Sequence, residues 1–389
     1  MNTQGLQELV ELSREYGKGR DWVIGGGGNT SFKDDRFMWI KASGTTLGEI
    51  TAEQFVRMDL SRLEAIWEKR YPREADERER QALEDLMAAR APGEEGKRPS
   101  VETLMHALFP HRFVFHTHPT VLNGLTCSRD ADGAVSRLLG ERALWIPTVN
   151  PGYILARTIY DLVQQWRTSH GGEYPPILVM QNHGLVVAGD SVEEIRSLNG
   201  EVMEAIERSI TVRPEIDPVA AEPAHLEDVR DAVTRAVADY RAAHGDALNP
   251  PVTTTFTSPE LARRAGNREA FAPLEGALTP DHIVYSGHKP CYVPEAPAMA
   301  LKAEILAEIM EYCRREQTCP KLVVVGGLGA VAVGATEKKA ELAKQLFLDA
   351  LKVARYTENF GGLQAMPEDQ VAFIRGWEVE KFREAVSTE

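Results

Sequence analysis

His116 and His118 stand one residue apart in FVFHTHP, behind an apolar run, in a chain with ten histidines. Residues i and i+2 of a strand share a face, so both imidazoles can grip one ion. An HxH pair on a buried strand is by itself more often packed or hydrogen-bonded than metal-bound. A third histidine changes the balance. His183 lies in QNHGLVV, a tight turn between two apolar runs, where a polar residue needs a reason. Three imidazoles leave a coordination position open, the catalytic rather than the structural pattern for zinc. Imidazole with carboxylate also suits manganese, cobalt or iron. Glu102, in RPSVETLMH, precedes the strand with the two histidines. It could fill a fourth position or work as acid and base. It could equally be a first-turn helix glutamate answering the helix dipole, with Ser100 as cap.

A second group of residues could hold an anion. IGGGGNTSF (24–32) is a glycine-rich turn followed by Asn29, Thr30 and Ser31. Its glycines, Gly28 among them, let backbone N–H groups approach an anion closely, and the side chains add donors. KASGTTL (41–47) offers Ser43 and Gly44 with the same chemistry, and Ser100 adds a third donor. Each is also readable as a plain flexible turn. Neither is a Walker motif, since GK[ST] is absent. The later run VVVGGLGAVAVG lacks the third glycine of a dinucleotide fingerprint and is followed by a strand-like stretch instead of a helix.

These residues need elements to carry them. Residues 3–17 read as an amphipathic helix. SFKDDRFMWIKASG reads as a hairpin turning at Asp34 and Asp35, and TAEQFVRMDLSRLEAIWEKR as a helix starting from a cap at Thr51. Residues 72–98 carry both charge signs densely and predict a solvated helix and loop. SVETLMHALFP predicts a helix ended by Pro110, and RFVFHTH a buried strand. PPILVMQNHGLVVAGDS and the residues after it predict strand, turn, strand and a helix capped by Asp190 or Ser191. The proline-rich 211–225 stretch is the expected linker. Beyond it, CPKLVVVGGLGAVAVGATEKK repeats the apolar run, glycine turn, apolar run, cap and helix of the first half, with GLG replacing NHG. The expected division is 1–212 with the candidate site and 225–389 as a smaller, degenerate copy.

At 389 residues, 43% hydrophobic, the chain has room for two domains. A net charge of −14 argues against nucleic-acid and anionic-membrane surfaces. Four cysteines without CxxC pairing read as reduced thiols. The polar amphipathic N-terminus is unlike a signal peptide, and no apolar run reaches membrane-span length. The expectation is a soluble cytoplasmic protein.

In order and spacing, GGGGNTS, IKASGTT, PSVET, HTHP and QNHGLVVAGDS resemble the class II aldolase/adducin family over residues 1–210. The later stretches LTPDHIVYSGHKPCYV and VVVGGLGAVAVG are similar to the middle of bifunctional rhamnulose-1-phosphate aldolase/alcohol dehydrogenases. A short-chain dehydrogenase domain follows in those proteins; this sequence stops at Glu389, so that part is expected to be absent. The resemblance implies a three-layer α/β/α sandwich around a mostly antiparallel sheet, followed by a smaller α/β domain. It implies zinc on His116, His118 and His183, Glu102 as acid/base, and a phosphate cradle of Asn29, Thr30, Ser43, Gly44 and Ser100. It implies a phosphorylated sugar as substrate and a homo-oligomer. The reaction implied is metal-assisted aldol cleavage of a ketose phosphate to dihydroxyacetone phosphate and an aldehyde, with no Schiff base. A family epimerase or sugar-acid lyase/dehydratase would share the same histidines. A non-catalytic, adducin-like interaction module would be expected to lose them. Family members often carry a second serine before the glutamate, where this chain has Val101. Tyr153 is a candidate for a tyrosine beside the substrate.

Overall fold

The structure is a computed structural model describing residues 3–19, 21–217, 225–244 and 250–386. The first half is built on a seven-stranded sheet. Its strands are β1 (Asn29–Lys33), β2 (Phe37–Lys41), β3 (Phe55–Asp59), β4 (Phe113–Thr117), β5 (Ala143–Ile146), β6 (Ile177–Met180) and β7 (Gly184–Gly189), in the order β3-β2-β1-β4-β7-β6-β5. Neighbours are antiparallel except the β5–β6 pair. Strand alternation sorts the apolar residues onto two faces. Phe32, Phe113 and Phe115 point to the layer holding helices Thr3–Gly17, Thr120–Thr126 and Val192–Glu207. Val114, Leu178 and Val186, with Met38 and Ile40, point to helices Leu60–Trp67, Thr103–Leu108 and Tyr153–Ser169. Each fully buried Phe contributes roughly 1.5–3 kcal/mol. This is the expected three-layer sandwich.

The hairpin closes as its turn residues require. Asp34 Oδ1 accepts from the backbone N–H of Arg36 and Phe37, at 2.9 and 2.7 Å. One local expectation fails. No helix starts at Thr51: Thr51 N donates to Gln54 Oε1 (3.0 Å) around a single 3₁₀ turn, Ala52–Gln54, and the chain then enters β3. The helix begins at Leu60, capped by Asp59, whose carboxylate accepts from Ser61 N and Arg62 N. FVRMD satisfies an edge-strand pattern, and pairing with β2 outweighs the local capping signal. The charged 75–88 helix is not wholly solvated either, for it buries Ala82, Leu86 and Glu79. Ser191 is the cap of helix Val192–Glu207. Of the expected linker, residues 218–224 lie outside the described residues, and 211–217 form no helix or strand.

The second half holds a four-stranded sheet of β8 (Val252–Phe256), β9 (Cys291–Val293), β10 (Leu322–Val325) and β11 (Gly329–Gly334), ordered β8-β11-β10-β9. Its pairings are antiparallel, antiparallel and parallel. The strands β4-β7-β6-β5 of the first sheet have the same order and senses. The GLG turn joins two hairpin strands, so the dinucleotide-fingerprint alternative has no strand-to-helix turn to stand on. No helix among the described residues is long and apolar enough to cross a membrane.

Candidate active site

The three histidines converge. Their ligand nitrogens all lie within 4.8 Å of one another. His116 is on β4, His118 one residue past its end, and His183 in the β6–β7 turn, where Asn182 takes the left-handed conformation (φ 53°). Asparagine tolerates that conformation better than most residues. The Asn182 amide also donates to the carbonyls of Leu278 (3.0 Å) and Gln364 (2.9 Å), which fixes the turn.

The hydrogen bonds set the imidazole tautomers. His116 Nδ1–H donates to the Leu185 carbonyl (2.8 Å), and His118 Nδ1–H donates to Asp281 Oδ2 (2.5 Å). Both Nε2 atoms therefore present lone pairs, and they lie 2.9 Å apart. Two lone pairs so close repel, and a shared positive centre, a proton or a metal ion, relieves this. Glu102 completes the set: Oε1 is 3.3 Å from His183 Nε2, and Oε2 is 3.5 Å from His116 Nε2. Tetrahedral bonds of zinc length separate ligand atoms by about 3.3 Å. The donor set fits a divalent cation in both chemistry and spacing.

The electrostatics agree. Burial pushes His116 down to about 3, so it is neutral at physiological pH, as a ligand must be. For Glu102, burial favours the protonated form, while positive charge on His116 and His183, with hydrogen bonds from His183 and Asn29, offsets it and holds the carboxyl well below the usual range; with the imidazoles neutral, a bound cation would supply that charge. A chain of bonds orients this carboxylate. Ser31 Oγ donates to His106 Nδ1 (2.8 Å), His106 Nε2–H donates to Asn29 Oδ1 (2.5 Å), and Asn29 Nδ2 donates to Glu102 Oε2 (2.5 Å). The sequence reading gives His106 no role. The available signal was its place one turn beyond Glu102 on the same short helix.

Of the expected cradle, Gly28, Asn29, Ser43, Gly44 and Ser100 share one small cavity with Glu102 and His183. The two segments are tied together, Ser43 N to the Arg98 carbonyl (2.9 Å) and Ser100 N to the Lys41 carbonyl (3.1 Å). Gly28 has φ +63°, and a side chain there would come within 2.7 Å of the His116 carbonyl. Thr30 is not brought in. It alternates to the other face of β1, fully buried, with its hydroxyl 2.7 Å from Ser13 Oγ. Asn29 faces the site, but its amide is engaged with Glu102. Val101 places an apolar side chain in the wall. Lys41, inside the KASGTTL turn and without a role in the sequence reading, is buried and lines the cavity, donating to the Gly26 carbonyl (3.0 Å). Tyr153 is not in the wall; it packs edge-on against Tyr71, with its backbone N–H on Glu79 (2.7 Å).

The matching sheets show what the second half lacks. Aligning Gly184 with Gly329 and Gly189 with Gly334 through the strand registers puts Thr255, Thr257 and Leu328 at the positions of His116, His118 and His183. The second module keeps the topology and none of the three imidazoles.

The chain is similar to several known proteins. It is 23% identical over 412 residues to the uncharacterized oxidoreductase YuxG of Bacillus subtilis (strain 168), covering 98% of this chain and 58% of that relative. It therefore spans less than two thirds of that protein. It is 27% identical over 227 residues to a methylthioribulose-1-phosphate dehydratase of Microcystis aeruginosa (strain NIES-843 / IAM M-2473), covering 54% of this chain and 96% of that one. Among solved structures, the N-terminal class II aldolase domain of a conserved Thermoplasma acidophilum protein overlaps 54% of this chain and 94% of its own, at 25% identity and a TM-score of 0.45. Residues 7–210, just over half of the chain, match the Class II Aldolase and Adducin N-terminal domain. With a match of that extent enclosing all three histidines and Glu102, the chain belongs to the class II aldolase and adducin family.

Proposed function

We propose that this protein is a metal-dependent lyase acting on a ketose phosphate, with aldol cleavage to dihydroxyacetone phosphate and an aldehyde as the reaction. The observation that carries the reading is the meeting of three imidazole nitrogens within 4.8 Å of one another, with the Glu102 oxygens 3.3 Å from His183 Nε2 and 3.5 Å from His116 Nε2, beside a polar cavity. His116, His118 and His183 would hold the ion, zinc first, with manganese, cobalt or iron as substitutes. Bound there, a divalent cation supplies Lewis-acid stabilisation of negative charge developing on a substrate carbonyl.

The remaining work falls to the chain. Glu102, unprotonated and aimed by Asn29, takes the proton from the carbon next to the carbonyl in the condensation direction and returns one in cleavage. Ser43, Gly44, Gly28 and Ser100 would face the phosphate. With Thr30 turned away and Val101 apolar, Lys41 supplies the cationic contact. The cavity is about 30 Å³, enough for a water or two. Val379 and Glu380, from the C-terminal helix Glu378–Val386, form part of its wall and must withdraw for a sugar phosphate to enter. In this reading 1–212 is the catalytic domain, 225–389 its degenerate companion, and the assembly a cytoplasmic homo-oligomer.

The dehydratase relatives favour one rival, loss of water from a ketose phosphate at the same site. Incubation of metal-loaded protein with a panel of ketose 1-phosphates separates the two. Aldol cleavage gives two fragments, and dehydration gives one product lighter by a water. No product from any ketose phosphate would overturn the proposal.

A further inference from the structure

The carboxylate on His118 comes from the other half of the chain. Asp281 lies 163 residues downstream, in LTPDHIVYS, and its Oδ2 sits 2.5 Å from His118 Nδ1. Both side chains are more than nine-tenths buried. The approach is close enough that a side chain on Gly27 would come within 2.5 Å of Asp281 Oδ2.

The segment around Asp281 is fastened to the first half on either side. The Leu278 carbonyl accepts from Asn182 Nδ2 (3.0 Å), next to His183. His282 Nε2 meets Asp349 (3.1 Å), whose other oxygen accepts from Thr120 Oγ1 (2.5 Å), two residues after His118. Tyr285 Oη accepts from Gly26 N (3.3 Å) in the glycine-rich turn. Residues 278–286 thus wrap the back of the three-histidine cluster, and Asp281 points into it.

We infer that Asp281 is a positioning residue for the metal centre: it fixes the His118 tautomer and ring so that Nε2 faces the ion. The second half is then part of the working site and not a vestige. The inference rests on the metal reading above. A carboxylate behind a ligating histidine raises the basicity of the far nitrogen and holds the ring, and its loss weakens metal binding by about 10- to 100-fold.

The test compares wild type, Asp281→Asn and His183→Ala, each stripped of metal, by Zn2+ titration against a competing chromophoric chelator, with the melting temperature of each metal-free protein recorded. Asn keeps the size but removes the charge, and its amide can turn either its oxygen or its NH2 to Nδ1, so it no longer dictates the tautomer. The expected result is a zinc dissociation constant raised 10- to 100-fold in Asp281→Asn with an unchanged metal-free melting temperature. Wild-type affinity in Asp281→Asn overturns the inference and leaves the metal site standing, as does a lowered metal-free melting temperature with unchanged affinity. Failure of wild type itself to bind zinc overturns the underlying functional reading as well.

Discussion

His118 Nδ1 and Asp281 Oδ2 are 2.5 Å apart, one just past the end of the strand that carries His116 and the other in the second half of the chain. The contact makes the site composite. The three histidines come from the first sheet and its turns, and the carboxylate behind His118 comes from a module whose own equivalents of the three are Thr255, Thr257 and Leu328.

Glu102→Gln separates binding from proton transfer. Gln retains the shape and an oxygen toward His116 but cannot accept a proton as a base. Metal content is expected to stay near wild type while kcat falls by about 10²- to 10⁴-fold. Elemental analysis and single-turnover kinetics check this. Unchanged kcat would remove Glu102 from the chemistry.

His106 makes a pH-dependent contribution to stability. Burial is the largest cause holding its pKa well below 6.5, with the positive charge of Lys33 adding to it. Above pH ~6.5 the folded and unfolded states bind the same number of protons there. Below it the unfolded chain takes up a proton that the folded site refuses, so stability falls with pH at up to about 1.4 kcal/mol per unit. His106→Gln should flatten part of that slope in melting temperatures measured between pH 7 and 5. It should also lower kcat by releasing Asn29 from its aim at Glu102. An unaltered slope would contradict the buried, neutral assignment.

The C-terminal helix should open for substrate. Arg98 holds it through Glu378 (3.0 and 2.8 Å) and lies over the Phe382 ring at 4.4 Å. An exposed ion pair of this kind is worth about 1 kcal/mol or less. Arg98→Ala is therefore expected to lower KM by up to about fivefold with kcat little changed. A raised KM would mean that Arg98 contacts the substrate instead of restraining the helix.

Much of this was legible in the residues. The three histidines, Glu102 and the two small-residue turns are local signals, and strand periodicity with its turn residues places them correctly. What stayed hidden depends on contacts between distant segments. Asp281 gains meaning only when the fold brings it behind His118, and Lys41 only when the fold brings it to the cavity. Thr30 stands beside Asn29 in sequence, but strand alternation sends it to the opposite face. The cap signal at Thr51 is real over four residues, and pairing of Phe55–Asp59 with β2 decides the outcome.

In the proposed function, His116, His118 and His183 hold one divalent cation together. Elemental analysis of purified wild type beside His183→Ala, after exposure to equal zinc and gel filtration, tests it directly. The prediction is one zinc per wild-type chain and little in the variant, both proteins folded by circular dichroism. Equal occupancy in the two, or none in wild type, would contradict it.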